Sequence, residues 1–286
     1  MKARAPASSA NLGPGFDCLA VALSLYVEVS VEPAERLTVT TSGCGSDLPS
    51  DSSHLAAKVV TGIVGNDRVA IHVHSDIPVG RGLGSSAALA VAAAAAAGAD
   101  DPFEVGAEID GHPENAAAST YGGLVAAATV NGRPVARQLK LDTELTFVVL
   151  VPDRQLLTSD ARAALPEQVS HSDAVFNLGM MGLLIAGLAD RRAMIPEAGE
   201  DRLHQAARSR LFPEAPALLS GLREAGALMS CWSGAGPSLL AVCDASVAEG
   251  VAEAARLLMN DMKVTGNAWV LEPDIGGVTV SRGKSE

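Results

Sequence analysis

Aromatic side chains are scarce: Phe, Trp and Tyr together make up 3% of the 286 residues. A core must therefore be packed from Val, Leu, Ile and Ala, which the 48% hydrophobic content supplies. Basic residues are short as well, 21 Lys and Arg against 33 Asp and Glu, a net charge of −12. That balance argues against nonspecific binding to nucleic acid or to an anionic membrane, since both call for a basic face. It leaves room for a small anionic ligand held by a local site. Cysteine is limited to Cys18, Cys44, Cys231 and Cys243, with no CxxC pair and no metal-ligand spacing. In a chain this long they read as reduced, buried thiols of a cytoplasmic protein, not as a disulfide framework or a zinc site. The opening MKARAPASSANLGPGFD lacks an apolar h-region and does not read as a signal peptide. The most apolar tract, alanine-rich and spanning residues 87–97, falls short of the roughly 20 residues a bilayer span needs.

What the chain does have is a mixture of strand-like and helix-like stretches without repeats or long linkers. Leu19–Val31, Leu37–Thr41 and Val69–His74 carry the alternation and β-branching of strands. Helices are expected over Ala87–Ala97, capped by Ser85 or Ser86, and over Phe103–Ile109, started by Asp101-Pro102. A short helical piece follows at Asn115–Ser119, then a strand at Leu124–Val130. Leu145–Val151 (LTFVVLV) reads as a buried strand ended by Pro152. Beyond it the texture turns helical, at Ser172–Ala189, Glu200–Arg210, Pro213–Ala225 and Ser246–Met262. Strand-like pieces lie at Ala227–Cys231, Leu239–Cys243 and Ala268–Glu272. The class is α+β, and the length suggests two domains, at roughly 100–200 residues each. The change in texture puts a boundary near 145–155, and we divide the chain at 1–147 and 148–286.

The stretch PVGRGLGSSAALAVAAAAAAG, Pro78 to Gly98, sets three glycines against a strong helix former. Gly80, Gly82 and Gly84 can adopt positive φ and let backbone N–H groups converge. The helix N-terminus behind them offers unpaired donors and a partial positive charge. Together they can form a cradle for phosphate, with Ser85 and Ser86 adding hydroxyls for a phosphate oxygen or Mg²⁺. It is not a Walker A loop, which needs a lysine, and Ala87 stands where GxGxxG requires its last glycine. A tight strand-to-helix turn would use the same residues. Two other segments share the style. ASSANLGPGFDCLAVAL, Ala7 to Leu23, gathers Asn11, Gly13, Gly15 and Asp17 before an apolar run. WSGAGPSLLAVC, Trp232 to Cys243, does so near the other end. Each fits either a ligand loop or a plain turn.

Taken together and in order, APASSANLGPGFDCLAVAL, IPVGRGLGSSAA, GHPENAAASTYGG and SGAGPS resemble the motif set of the homoserine kinase family of the GHMP small-molecule kinase superfamily. TSDARAALP and LHQAARSRLFP resemble two further segments of that family. The resemblance implies a GHMP kinase fold, with an N-terminal ribosomal protein S5 domain 2-like domain and a C-terminal ferredoxin-like domain. It implies phosphorylation of L-homoserine by ATP, a step toward threonine. ATP would lie across Pro78, Gly80, Arg81, Gly82, Leu83, Gly84, Ser85 and Ser86. Asn11 and Asp17 would bind the amino acid, Asp17 through its ammonium or hydroxyl. His112 and Asn115 would line the pocket beside the transferring phosphoryl group. Arg162 and Arg208 would hold the substrate carboxylate, a task that suits the guanidinium fork. A homodimer is expected on the same ground.

The chain departs from the superfamily pattern where a Glu often precedes the third motif: that place is Gly106. The expected Mg²⁺ ligands are then Ser85 and the Asp110 carboxylate one turn on, with Glu108 and Glu104 in reserve. No lysine stands near His112–Asn115 to assist a base. Asn115 would then orient the hydroxyl, leaving the γ-phosphate to take its proton. Two other activities fit the residues: a GHMP kinase for a mevalonate- or shikimate-like alcohol, and a non-catalytic amino-acid or nucleotide sensor.

Overall fold

A computed structural model describes residues 1–281. In chain order its strands and helices are β1 (Lys2–Ala10), β2 (Leu19–Pro33), β3 (Thr38–Gly43), α1 (Leu55–Val64), β4 (Val69–Ser75) and α2 (Ser85–Ala97). Then come α3 (Pro102–Asp110), α4 (Pro113–Tyr121), β5 (Leu124–Val130), β6 (Arg133–Leu139), β7 (Leu145–Pro152), α5 (Thr158–Ala163) and α6 (His171–Ala189). The chain closes with α7 (Gln205–Arg208), α8 (Ala215–Glu224), β8 (Met229–Trp232), β9 (Leu239–Asp244), α9 (Ala248–Asp261), β10 (Gly266–Leu271) and β11 (Thr279–Ser281).

Two sheets organise these elements. The first has seven strands in the order β11-β1-β2-β4-β3, with β5 paired to β2 and β6 to β5. Long β2 serves as its spine: Val27–Pro33 pairs with β4 and Leu19–Val21 with β5. Helices α2 and α4 pack on β1 and β2, with α1 and α3 beside them. Ala87 to Ala96 of α2 are all buried. An almost pure alanine helix fits there because small side chains let neighbouring helices and the sheet approach closely. The same closeness explains Gly106: a Cβ there would lie 2.6 Å from Val91 Cγ2 and 3.2 Å from Ala116 Cβ. No carboxylate side chain fits at that position.

The second sheet runs β10-β7-β9-β8, all neighbours antiparallel. Its first, second, third and fourth strands in sequence are β7, β8, β9 and β10, so the spatial order is 4-1-3-2. With helices between the first two and the last two strands, this is the ferredoxin-like split βαβ arrangement. Strand β7 is buried throughout, as its unbroken apolar run suggests. The period of two divides it between two cores. Leu145, Phe147, Val149 and Val151 join the large core that includes the first sheet. Val148 and Leu150 join the smaller one under α8 and α9. The last strand, β11, returns to pair with β1 in the first sheet.

Several local expectations change. Neither Ser85 nor Ser86 caps α2: the cap is Gly84, left-handed at φ +64°, with no side-chain hydrogen bond. Both serines therefore sit in the first turn. The helix expected over Glu200–Arg210 shrinks to the single turn α7. Asp201 accepts from the backbone N–H of Leu203, His204 and Gln205, holding the preceding residues in a turn. The opening stretch is strand β1 up to Ala10, and α1, β6, α5 and β11 were not among the expected elements, although α1 buries Ala56, Ala57, Val59 and Val60 on one face. The alanine tract is not the longest apolar helix. Among the described residues α6 is the one helix long and apolar enough to cross a membrane by length and composition.

Candidate active site

The three glycine segments meet. Ser233 Oγ donates to Gly82 O at 2.7 Å, and Gly234 N–H donates to Ala10 O at 2.8 Å. Ser8 N–H reaches Leu83 O at 3.2 Å, so β1 flanks the central loop. These contacts demand glycine. A Cβ on Gly82 would overlap Ser233 O, and one on Gly84 would overlap Ser8 Oγ. Gly80, Gly82 and Gly84 all have positive φ, at 68°, 74° and 64°, which L side chains rarely adopt. The loop ends on the first turn of α2, whose leading N–H groups have no intrahelical acceptor. This is the cradle anticipated from the sequence.

The cradle forms one wall of a cavity of about 470 Å³. Pro78 to Ser86 line it without a break, as do Asn11, Asp110, His112, Asn115, Arg162 and Arg208. Residues brought in from five separate segments thus share one space. Glu104 and Glu108 are exposed and do not belong to the lining. Arg81 spends its guanidinium on Val79 O at 3.3 Å and on Asp153 O, tying the loop to the end of β7.

Asn11 and Asp17 hold their turn together. Both have positive φ, 56° and 52°, and Asn11 Oδ1 accepts from Asp17 N–H at 2.8 Å. Asp17 then meets Arg162 in a bidentate ion pair, Nη1–Oδ2 3.0 Å and Nη2–Oδ1 2.8 Å. Expected to bind opposite ends of a substrate, the two side chains bind each other. Arg162 Nη2 also donates to His112 Nε2 at 2.9 Å, while His112 Nδ1–H donates to Asp110 O at 2.9 Å. Asp110 draws the His112 pKa up, against burial. Protonation would break the bond from Arg162, which needs a lone pair on Nε2.

Asn115 stands on α4 beside the cradle, and its Oδ1 accepts from Ser8 Oγ at 2.9 Å. With the carbonyl engaged, the amide NH₂ is the end left for a ligand. Arg208 is 2% exposed. It donates to Gly234 O at 2.8 Å and to His204 Nδ1 at 3.0 Å, and burial lowers its pKa to about 10, so it stays charged at neutral pH. Phe16 lies against both cavity arginines, 5.5 Å from the Arg162 guanidinium and 5.4 Å from that of Arg208.

Sequence reasoning passed over four residues here. Ser8 was hidden because β1 was not recognised. Thr158, on the cavity wall, lay in a segment quoted only for its arginine. His204 looked like any core histidine. Glu114 was quoted only within the segment GHPENAAASTYGG, yet it is 1% exposed and neither carboxylate oxygen has a partner. Only the last left a trace, a carboxylate in the middle of the quoted GHPEN.

Comparison with known proteins gives a consistent picture. The family model for the GHMP kinases N terminal domain matches residues 53–123, and that for the GHMP kinases C terminal matches 184–261. A homoserine kinase of Streptomyces coelicolor is 38% identical over 269 residues, 88% of this chain and 87% of its own. One from Desulfitobacterium hafniense is 33% identical over 98% of this chain and 99% of its own. The crystal structure of homoserine kinase from Cytophaga hutchinsonii superposes with a TM-score of 0.87 at 27% identity, covering 98% of this chain and 97% of that one.

Proposed function

From the premise that this chain belongs to the homoserine kinase family of the GHMP kinases, we propose how its cavity carries out the family's reaction. The reaction is transfer of the γ-phosphoryl group of ATP to the side-chain hydroxyl of L-homoserine, giving ADP and O-phospho-L-homoserine for threonine synthesis. On this reading residues 1–147 supply the nucleotide cradle, and 148–286 supply the two arginines that close the amino-acid end. The observation that carries it is that Arg162, ion-paired to Asp17, and Arg208, with no carboxylate bonded to it, line the same cavity as the N-terminus of α2. A zwitterionic amino acid matches that pair: its ammonium meets Asp17, and its carboxylate meets Arg162 and Arg208. Neither mevalonate nor shikimate has an amine to meet Asp17.

The phosphates of ATP lie on Gly80–Ser86 and the α2 N-terminus, where backbone donors and the helix dipole favour anions. Mg²⁺ fits the donor set, because Ser85 and the carboxylate of Asp110 line the same cavity and phosphates and water would complete an oxygen shell. It would neutralise charge on the phosphates and help hold them in line. The chain's own residues then position the alcohol. Asn115, its carbonyl fixed by Ser8, donates from its amide to the homoserine hydroxyl oxygen and aims that oxygen at the γ-phosphorus. His112 holds Arg162 in place and has its ring nitrogens engaged. With no free base beside the hydroxyl, its proton passes to a γ-phosphoryl oxygen as the new O–P bond forms and the bond to the ADP oxygen breaks.

The test is ADP release from MgATP with L-homoserine, D-homoserine, L-threonine, L-serine, mevalonate and shikimate. Turnover confined mainly to L-homoserine is the expected result. Turnover with mevalonate or shikimate would discard the roles of Asp17, Arg162 and Arg208 and keep the cradle. Nucleotide binding without turnover would favour a sensor.

The partners are small molecules, without nucleic acid or membrane, in the cytoplasm, and a second copy of the chain. Residues 174–189 of α6 carry no charge, and Val175, Leu178 and Leu183 are 66%, 72% and 43% exposed. Antiparallel pairing of two such helices sets Leu178 against Leu183 and lets the exposed Gly179 and Gly182 approach closely. It also brings Arg192 of one copy toward Glu167 of the other, a charge match that an isologous contact makes twice. Sedimentation of Leu178→Glu as a monomer, with the wild type a dimer, is expected. A monomeric wild type that floats with anionic vesicles would assign α6 to a membrane instead.

A further inference from the structure

The two arginines of the cavity differ in how they are held. Arg162 is neutralised by Asp17. Arg208, buried, has only uncharged hydrogen-bond partners in Gly234 O and His204 Nδ1, and its Nε has none. The carboxylates of Asp17 and Asp201 favour its charge from a distance, against burial, but neither is bonded to it. A buried guanidinium with no carboxylate bonded to it is costly, so its surroundings must be built to keep it that way.

His204 is the centre of that construction. Its side chain is fully buried, and Nε2 lies 2.8 Å from Gly13 O. Donation from Nε2–H to this carbonyl leaves Nδ1 as a lone pair, which accepts from Arg208 Nη1. Burial pushes the His204 pKa down, against the pull of Asp201, whose Oδ2 lies 3.7 Å from Nε2, and favours the neutral ring. Asp201 fixes the turn from below through the backbone N–H groups of residues 203–205. Phe16 stacks on the ring at 5.0 Å. A carboxylate in place of the imidazole would orient Arg208 equally well, but it would neutralise the charge and compete with an anionic ligand. A neutral acceptor orients without competing.

We propose that His204 is a positioning residue for substrate recognition: it holds Arg208 aimed into the cavity with no carboxylate bonded to it, and thereby makes the substrate's α-carboxylate a requirement for efficient turnover. The proposal rests on the homoserine kinase reading above. It adds a specificity determinant that lies behind the binding residues and touches no substrate.

The test is steady-state kinetics with L-homoserine and with 3-aminopropan-1-ol, which has the same hydroxyl and amine and lacks the carboxylate. In His204→Phe, which keeps the stacking on Phe16, KM for L-homoserine is expected to rise about 30-fold, the effect of losing one hydrogen bond to a charged group. KM for ATP and KM for 3-aminopropan-1-ol stay within twofold, so the preference for the carboxylate falls about 30-fold. His204→Asn, which can still accept from Arg208, restores most of it. In the Arg208→Ala background His204→Phe costs nothing further. Should His204→Phe not fold, His204→Gln, which keeps a donor for Gly13 and lacks the Nδ1 acceptor, is read in the same way. Equal losses on both alcohols, a shifted KM for ATP, or losses that multiply in the double variant would overturn the proposal. A wild type inactive on L-homoserine would overturn the functional reading instead, before any variant is made.

Discussion

The cavity has two ends built on different plans. The phosphate end is made of backbone: three left-handed glycines, a helix N-terminus and carbonyls zipped to β1 and to Ser233. The end proposed for the amino acid is made of side chains: Asp17, Arg162 and His112, linked to one another by directional hydrogen bonds, and Arg208, held separately by His204. A backbone site recognises what every nucleotide shares, its phosphates, and it is broken by adding atoms. A side-chain site recognises one substrate's pattern of charge, and it is broken by removing atoms.

Adding one carbon to the first end is the largest expected effect. Gly84→Ala places a methyl group onto Ser8 Oγ and beside Asn115 Oδ1, at a φ that already penalises L residues. It disturbs the cradle and the amide proposed to aim the hydroxyl together, and kcat/KM is expected to fall about 10⁴-fold, or ~5.5 kcal/mol. Gly80→Ala provides the internal control. Its φ is equally positive, but the nearest atoms, those of Gln155, lie 3.8 Å or more away. Only the backbone penalty of roughly 1–2 kcal/mol applies there, so the loss should stay near tenfold. Equal losses at the two positions would mean that φ alone, and not contact with Ser8, makes the loop what it is.

Removing atoms from the second end comes next. Arg162→Ala deletes the partner of Asp17, the donor to His112 and one anchor of the carboxylate. A loss of about 1000-fold in kcat/KM for L-homoserine is expected, ~4 kcal/mol, within the range for stripping one side of a hydrogen-bonded charge pair. KM for ATP should hardly move. Isotherms for a nonhydrolysable ATP analogue and for L-homoserine would separate the two ends: a variant that loses both would join what the geometry divides.

The same division explains what the sequence made readable. Glycines and serines at fixed spacing advertise a backbone site, because few other residues tolerate its angles, so the Gly80–Ser86 loop stood out before any fold was known. Arg162 and Arg208 had no such signature and were found by resemblance. Residues further back were harder still. Ser8 acts from a strand whose small side chains hide its periodicity, and His204 acts through Arg208 from a turn that resembles a helix in sequence. Gly106 shows the reverse case, where a missing carboxylate reflects packing against Val91 and Ala116. The two sheets were legible wherever β-branched residues alternated. The helix ends were less so: the Ser85 cap was misjudged because a left-handed glycine can start a helix without any side-chain bond.

Glu114 lies between the two plans and gives an effect on stability, not turnover, with a clean pH signature. It is a side chain of helix α4, which also carries Asn115, and it points into the protein with neither oxygen bonded. Burial pushes its pKa from 4.5 up to about 7, opposed in part by His112. The unfolded chain ionises this carboxyl freely above pH 4.5, whereas the folded chain resists ionisation until about pH 7. The group therefore costs nothing below pH 4.5, costs progressively more as pH rises toward 7, and costs its full amount above that. A shift of this size corresponds to about 3 kcal/mol at most. Glu114→Gln, neutral at every pH, should then match the wild type in urea denaturation at pH 4 and exceed it at pH 8, with the gap opening between those values. A gap of the opposite sign at pH 8 would mean that the ionised carboxylate is held by a partner, and that the third motif carries a second functional charge beside Asp110.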